Sequence, residues 1–463
     1  MRAIEQHPRR WGIGIGIGIG IGIGIAIAAL AGPAAAQGVV IQADGTVNLG
    51  YTQTTRSTVA LDPTADAADV PDNSISNFFT EVRPGISFQT ASPRLSWRAA
   101  YLFSGAFSLV GGQGLAYSNQ ANLALAAQLT QATLLNANAS VAQGGTTFLQ
   151  SQQPAEMVQP EIRAPGNPGV LTATLGESLA WQLGRQFSLQ HSLSGSVSAQ
   201  QDDLSKRNST VSGTLGLERL FARDVFGLEV RVNVSRLSPL QTDQSPYTSL
   251  TNAVLGRWNH DFTWEWNARV TAGVEQVFTD TGSKPLALLP TGSVTVLYTI
   301  GNVVGGLDFS HSTTTNLQVG TVSLADRATA HAGITLNVEK ARTLGVSAGF
   351  LHNQPLGEAS ALVAAGTGNA VQADAGFSTA LNQKKTLLAN VRYSLAYQYG
   401  QDNGLAPSLA HILSIGITGS YTNTSKVVRP VPTRGQRVDG SDAKGFSTEP
   451  ATQDVTDPSA PTP

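Results

Sequence analysis

The chain has 463 residues, of which 13% are charged and none is cysteine, and its formal net charge at pH 7 is -2. The lack of cysteine excludes a disulfide scaffold, a thiol nucleophile and a lipid-modified N-terminal cysteine. The near-neutral charge gives no support for nucleic-acid binding. Only one long apolar segment is present, near the N-terminus, so a helical membrane protein with several spans is excluded.

The first 36 residues have the features of a signal peptide. Arg2, Arg9 and Arg10 precede an apolar stretch at residues 11–30, and a run of three alanines ends at Ala36. This order predicts export by the Sec route and cleavage after Ala36. A retained anchor helix is the alternative, because the length of the stretch also fits a membrane span.

An alternation of apolar and polar residues begins near Val40 and continues to Tyr421. It is most regular at residues 187–198, where Phe187 and Leu189 share one parity and serines occupy most of the other. Each alternating segment has about ten residues or more, which is the length a tilted strand needs to cross the hydrocarbon core of a bilayer. The pattern therefore predicts membrane-spanning β-strands.

The predicted fold is all-β, a transmembrane antiparallel β-barrel of about 18 strands (16–18). We expect three regions: a signal peptide at residues 1–36, the barrel at residues 37–424 and a periplasmic tail at residues 425–463. The tail is rich in Pro, Thr and Asp and lacks apolar periodicity, so it is predicted to be disordered.

The connections between the predicted strands alternate between tight and long. Tight connections are predicted at residues 91–94, 130–133, 184–186, 222–224, 259–262, 301–302, 339–343 and 382–385. Long connections are predicted at residues 53–75, 146–168, 202–208, 238–246, 279–285, 355–369 and 401–407. In bacterial barrels tight turns face the periplasm and long loops face the outside, so an even strand number leaves both termini in the periplasm.

One parity of the strands is apolar and is predicted to face lipid, as at Leu228, Val230 and Val232. Aromatic residues gather near the segment ends, as at Trp181 and Trp258, where they fit the headgroup level. The alternative is that these rings belong to the core of an ordinary β-sandwich.

Three residues do not fit this pattern. Pro84 lies inside a predicted strand, where it needs a bulge or a strand end. Glu177 and His191 fall on the lipid-facing parity, which requires either bulges that shift the phase or a position near the interface. The segment at residues 247–258 also alternates poorly.

The opposite parity is predicted to line the lumen. Its charged residues are Glu81, Arg83, Arg98, Glu218, Glu229, Arg231, Glu265, Arg269, Glu275, Asp308, Asp374 and Arg392. Both signs occur in similar number among many polar residues, which predicts a wet, weakly selective interior, and eighteen strands leave room for an aqueous channel. The alternative is a plugged or collapsed lumen in which Glu229 with Arg231, and Glu265 with Arg269, form ion pairs.

No pattern indicates a metal, a cofactor or an enzyme. Asp62, Asp66, Asp69 and Asp72 could hold a divalent cation, but their spacing matches no established calcium loop. Ser192 follows His191 directly, so the two side chains are predicted on opposite faces of a strand, unsuited to joint catalysis. We expect no metal site, no cofactor and no enzymatic activity.

Taken together, the signal peptide, the alternating strands, the tight and long connections and the aromatic ends resemble the outer-membrane β-barrel or porin-like proteins of Gram-negative bacteria. No motif specifies one family. The last predicted strand ends near Tyr421 and about forty residues follow, whereas such barrels usually end in a strand with a terminal aromatic residue.

This resemblance implies the outer membrane as the location, and outer-membrane lipids and the barrel-insertion machinery as partners; a homo-oligomer is left open. It implies a passive, weakly selective diffusion channel for small hydrophilic solutes. The alternative is a non-conducting surface or scaffold protein that binds a partner through its loops or its tail. A secreted soluble β-sandwich array or β-solenoid remains a third possibility.

Overall fold

The computed structural model describes residues 39–56, 73–92, 94–109, 116–144, 170–200, 207–238, 246–280, 286–316, 321–356, 368–399 and 408–422. The predicted signal peptide, the loop with the four aspartates and the predicted tail lie outside the described residues. Within the described ranges, no helix is long and apolar enough to cross a membrane.

Eighteen β-strands follow one another along these residues. They are β1 (Val40–Arg56), β2 (Asn73–Ala91), β3 (Leu95–Ser108), β4 (Ala116–Thr130), β5 (Thr133–Gly144), β6 (Val170–Gln182), β7 (Phe187–Gln200), β8 (Arg207–Leu220), β9 (Asp224–Leu237), β10 (Tyr247–Asp261), β11 (Trp266–Thr279), β12 (Leu286–Ile300), β13 (Val303–Asn316), β14 (Thr321–Asn337), β15 (Arg342–Pro355), β16 (Gly368–Ala380), β17 (Leu387–Tyr399) and β18 (Ser408–Thr422).

The strands form one closed ring. Each strand pairs antiparallel with the strands before and after it, and β18 pairs with β1 from Gln42 opposite Thr422 to Arg56 opposite Ser408. Closure removes the free sheet edges that lipid cannot satisfy with hydrogen bonds. The predicted antiparallel barrel and its eighteen strands are confirmed.

The outer surface of the ring is apolar. On β9 the alternate residues Phe226, Leu228, Val230, Val232 and Val234 are each at least 40% exposed. A water-soluble protein rarely exposes so continuous an apolar surface, whereas a membrane barrel turns it toward lipid. The chain is therefore a transmembrane β-barrel of the outer-membrane type.

Aromatic side chains border the apolar surface near the tight turns. The rings of Trp266 and Tyr298 stack with centroids 5.4 Å apart, and the imidazole of His260 lies between Trp258 and Phe262. All five residues lie at or beside strand ends, where amphipathic rings prefer the headgroup region. The arrangement is that of a membrane girdle rather than of a sandwich core.

Two features of the connections differ from the prediction. The turn between β10 and β11 spans residues 262–265 instead of 259–262, because Asn259, His260 and Asp261 stay paired with β11. The strand bounds also require connections between β3 and β4 and between β13 and β14, neither of which was predicted. The second is only four residues long and includes Leu317 and Val319, so it lacks a loop-like composition.

Pro84 lies inside β2 without a bulge. It is opposite Gly45 of β1, and the ladder with β3 is interrupted only between Val82 and Gly85, with the same register on both sides. The expected bulge or strand end is therefore absent. Proline has no backbone N–H to donate, and the strands accommodate it by a short break in the pairing between β2 and β3.

Candidate functional site

The candidate site is the inner face of the barrel. Strand register places eleven of the twelve predicted lumen residues on the face opposite the exposed apolar one. Glu265 is the exception, because it lies in the turn between β10 and β11, at one mouth of the barrel.

One group of charges surrounds Glu81, which is fully buried. Its carboxylate accepts hydrogen bonds from the Asn48 amide at 3.0 Å and from the Ser104 hydroxyl at 3.2 Å, and it forms an ion pair with Arg83. These partners lie on β1, β2 and β3. Neighbouring strands therefore satisfy the buried charge through both oxygens of the carboxylate.

A second ion pair extends this group along the wall. The guanidinium of Arg392 on β17 lies 2.9 Å from the carboxylate of Asp374 on β16, which also accepts hydrogen bonds from Gln372 and Ser394. Arg392 and Arg83 are close enough to repel each other. We call these four charged residues, Glu81, Arg83, Asp374 and Arg392, the first charged cluster.

The second charged cluster consists of Glu218, Glu229, Arg231 and Arg257 on β8, β9 and β10. Nη1 of Arg257 lies 3.1 Å from Glu218 and 3.3 Å from Glu229, and Arg231 lies 2.9 Å from Glu229. Gln190 of β7 donates a further hydrogen bond of 2.8 Å to Glu218. Arg257 thus bridges two carboxylates from two different strands.

Arg257 was missed in the sequence because it lies in the segment that alternates poorly. The inner face of β10 also carries Ala253 and Leu255, each 3% exposed, so the inner parity of this strand is partly apolar. Asp44 and Arg327 were missed as well. Asp44 faces inward from β1 and interacts with Arg98, while Arg327 is opposite the lumen residue Ser310.

The two charged clusters lie on opposite walls. The first spans β16 to β2 through β1, and the second spans β8 to β10. Strands nine positions apart in a ring of eighteen are diametrically opposed, so β17 faces β8 and β1 faces β10. The lumen therefore separates the two charged clusters.

The inner faces are balanced in charge. Leaving aside the terminal residue of each strand, the described inner faces carry seven carboxylates and seven arginines. These are Asp44, Glu81, Glu218, Glu229, Glu275, Asp308 and Asp374, with Arg83, Arg98, Arg231, Arg257, Arg269, Arg327 and Arg392. Within the described ranges, no three His, Asp or Glu side chains are arranged to hold a metal ion.

One wall of the lumen is polar without charge. The described inner faces of β4 to β7 carry mostly Asn, Gln, Ser and Thr together with Ala and Gly, and no charged residue. Ser140 and Thr174 are hydrogen-bonded at 2.6 Å, and Asn136 donates to Ser178 at 3.4 Å. Ser192 faces this wall whereas His191 faces outward, opposite Leu215, so the two do not meet.

The end of the β13–β14 hairpin narrows the lumen on the side of the long connections. Pairing between β12 and β13 stops at Gly292 and His311, although β13 continues to Asn316. Beyond that point Thr313 donates a hydrogen bond to Glu275 of β11, and Thr315 lies 3.5 Å from Ser235 of β9.

An apolar cluster holds this hairpin in place. Val322 of β14, which is 3% exposed, packs with Leu237, Tyr247 and Val277 from β9, β10 and β11. Strands that are four positions apart in the ring are therefore in direct contact. Nothing in the local sequence pattern indicated this long-range contact.

Comparisons with known proteins find similarity in structure only. No protein-family model matches the chain, and no curated protein matches its sequence. The outer-membrane protein OpdK from Pseudomonas aeruginosa is similar at 10% identity and a TM-score of 0.38, over 82% of this chain and 99% of OpdK. A BenF-like porin from Pseudomonas fluorescens Pf-5 is similar at 11% identity and a TM-score of 0.39, over 82% of this chain and 99% of the porin. OccAB4 from Acinetobacter baumannii is similar at 11% identity and a TM-score of 0.39, over 82% of this chain and 98% of OccAB4.

Proposed function

We propose that the protein is a passive, weakly selective diffusion channel for small hydrophilic solutes in the outer membrane. The observation that carries this proposal is the equal number of carboxylates and arginines on the inner faces, with the two charged clusters on opposite walls. A balanced lumen has little net potential, so it favours neither anions nor cations strongly.

The pattern of ion pairing supports an open lumen. Glu81 with Arg83 and Glu229 with Arg231 pair within one strand, while Arg257 reaches β8 and β9. The Arg–carboxylate pairs of the two charged clusters join strands at most two positions apart. Such pairs hold the side chains against the wall, whereas a collapsed lumen needs pairs that cross it.

Width also supports a channel. Eighteen strands enclose more space than their inner side chains fill, whereas eight strands do not. The uncharged wall on β4 to β7 adds hydroxyl and amide groups. These groups form hydrogen bonds with a polar solute in place of water, and they do not bind it through opposite charges.

Liposome swelling with neutral sugars of increasing size tests this proposal. We expect the purified mature protein, refolded into liposomes, to give swelling rates that fall steadily with sugar size and do not saturate with concentration. The control is the same protein inactivated by heat before reconstitution. No swelling for the smallest sugar, or saturable uptake of one sugar alone, would contradict a passive diffusion channel.

The inward position of the β13–β14 hairpin favours a second candidate, a non-conducting surface or scaffold protein, because it removes space from the lumen. The same swelling assay separates the two candidates. A barrel shown to be folded by its heat-modifiable gel mobility, but impermeable to every sugar, would establish the second.

A further inference from the structure

Two ionisable residues, Glu177 on β6 and His191 on β7, lie on the lipid-facing surface. Glu177 is opposite Ala137 and Leu193, and His191 is opposite Leu179 and Leu215. These ladders contain no register shift at either residue. The bulge considered in the sequence analysis is therefore absent, and both side chains point outward with Leu193 and Leu215, which are 45% and 52% exposed.

Both residues lie within the apolar band of the membrane. Glu177 is four residues from the girdle residue Trp181 on the same face of β6. With a rise of about 3.3 Å per residue and a tilt of about 40°, this places Glu177 roughly 10 Å above the girdle in a band about 25 Å tall. Lipid offers no partner there, and among the described residues neither Glu177 nor His191 makes a hydrogen bond or ion pair.

Small residues are interspersed with leucines such as Leu175 and Leu193 on the surface around the pair. On the outer faces of β5 to β8, the small residues are Ala137, Ala139, Ala173, Gly195 and Gly213. By contrast, the outer face of β9 carries only large apolar side chains at the same depth. Small residues let two membrane proteins bring their backbones close together, which large side chains prevent.

We propose that the outer face of β5 to β8 is an interface with a second copy of this chain. Glu177 lies five residues from the end of β6 and His191 four residues from the start of β7, both next to the same tight turn, and the register offsets them by two residues along the ladder. As diagonal neighbours across the ladder, they are about 7–8 Å apart. A two-fold axis along the membrane normal between them brings Glu177 of one copy against His191 of the partner subunit, and the reverse.

The occupant is a second copy because the face is complementary to itself. It carries an acid and a base side by side, so a two-fold axis pairs each group with its counterpart in the second copy without any other protein. A partner that offers no charged or hydrogen-bonding group at this place leaves Glu177 and His191 unsatisfied in the apolar band.

Disulfide trapping tests the interface, because the chain has no cysteine of its own. Leu193→Cys places a single thiol beside the proposed axis, and Val230→Cys places one at matched depth on the outer face of β9, six residues from the start of its strand like Leu193. Outer membranes that contain each full-length variant are oxidised with copper phenanthroline and examined by non-reducing electrophoresis.

We expect Leu193→Cys to give a product of twice the monomer mass at a yield at least fivefold above Val230→Cys. Adding Glu177→Leu should reduce this yield severalfold, and the charge exchange of Glu177→His with His191→Glu should restore it. Equal yields from the two cysteine variants, a product with a different mass, or no rescue by the exchange would overturn the proposal. Heat-modifiable mobility confirms that each variant is folded before its yield is compared.

Discussion

Nη1 of Arg257 lies 3.3 Å from a carboxylate oxygen of Glu229, on neighbouring strands of the lumen wall. The same nitrogen is 3.1 Å from Glu218 on the strand beyond. One guanidinium therefore forms ion pairs with two carboxylates that are each only 12% exposed. The pairing of charges within one wall, rather than across the lumen, is the structural basis of the proposed open channel.

Replacing Arg257 by Ala should weaken the barrel and make it cation-selective. The change leaves Glu218 and Glu229 poorly compensated, at a cost of about 3 kcal/mol of unfolding free energy, and it leaves an excess of carboxylates in the lumen. Urea unfolding in lipid vesicles measures the loss of stability, and the reversal potential in a salt gradient measures the ion selectivity.

Arg231→Ala is the control for stability. Its side chain is 47% exposed and pairs with one carboxylate, so a loss within about 1 kcal/mol is expected. Equal losses in the two variants would contradict the bridging role of Arg257.

A negative charge should be tolerated on the inner face of β9 and not on its outer face. Val232→Asp places a carboxylate among lipid chains, where it destabilises the barrel by less than the roughly 2–4 kcal/mol that an arginine or lysine costs at the midplane. Asn233→Asp is the matched control, because its side chain faces inward and keeps the oxygen that accepts from Ser212 at 3.0 Å. The yield of heat-modifiable protein in the outer membrane should fall for the first variant alone. Similar yields would mean that β9 does not face lipid as described.

The buried ring of Phe79 should make Gly50 sensitive to substitution. A Cβ built on Gly50 overlaps this ring, whereas a Cβ on Gly45, in the same strand, meets nothing within 4 Å. Gly50→Ala should therefore lower the unfolding free energy by about 1–3 kcal/mol, the usual cost of overpacking, and Gly45→Ala should leave it nearly unchanged. The midpoint temperature of the shift in heat-modifiable gel mobility measures the stability of both variants. An unchanged midpoint for Gly50→Ala would show that Phe79 moves aside without cost.

Loosening the β13–β14 hairpin should widen the lumen. Val322→Asn puts an amide into the apolar cluster with Leu237 and Val277, which costs about 1–3 kcal/mol and releases the hairpin end from the wall. Conductance per channel should increase. Val304→Asn puts the same amide on the inner face at the opposite end of β13, away from the apolar cluster, and should change conductance much less. If both variants conduct as the parent protein does, the hairpin does not limit passage.

Alternation along the chain was sufficient to predict the strands and most of the turns, because lipid and lumen impose a period of two on every segment. The prediction from alternation failed where residues do not follow this period of two. The connection between β13 and β14 was missed since Leu317 and Val319 continue an apolar composition across it. The turn after Asp261 was placed too early because polar residues at the end of β10 look like a turn although they still pair with β11.

The lumen was predictable only in part. Parity placed Glu229 and Arg231 on the inner face, where they form the ion pair considered as an alternative in the sequence analysis. It could not reveal Arg257, because Leu255 beside it makes the inner face of β10 apolar. The inward hairpin was also beyond prediction, since its contacts with Tyr247 join residues far apart in the chain and follow no local period.

Single-channel conductance of the purified mature protein in a planar bilayer, with a potassium chloride gradient, tests the central claim most directly. An open lumen lined by balanced charges predicts stable conductance steps and a reversal potential near zero. The absence of steps from protein shown to be a folded barrel, or a reversal potential close to that of an ideally ion-selective membrane, would contradict a weakly selective diffusion channel.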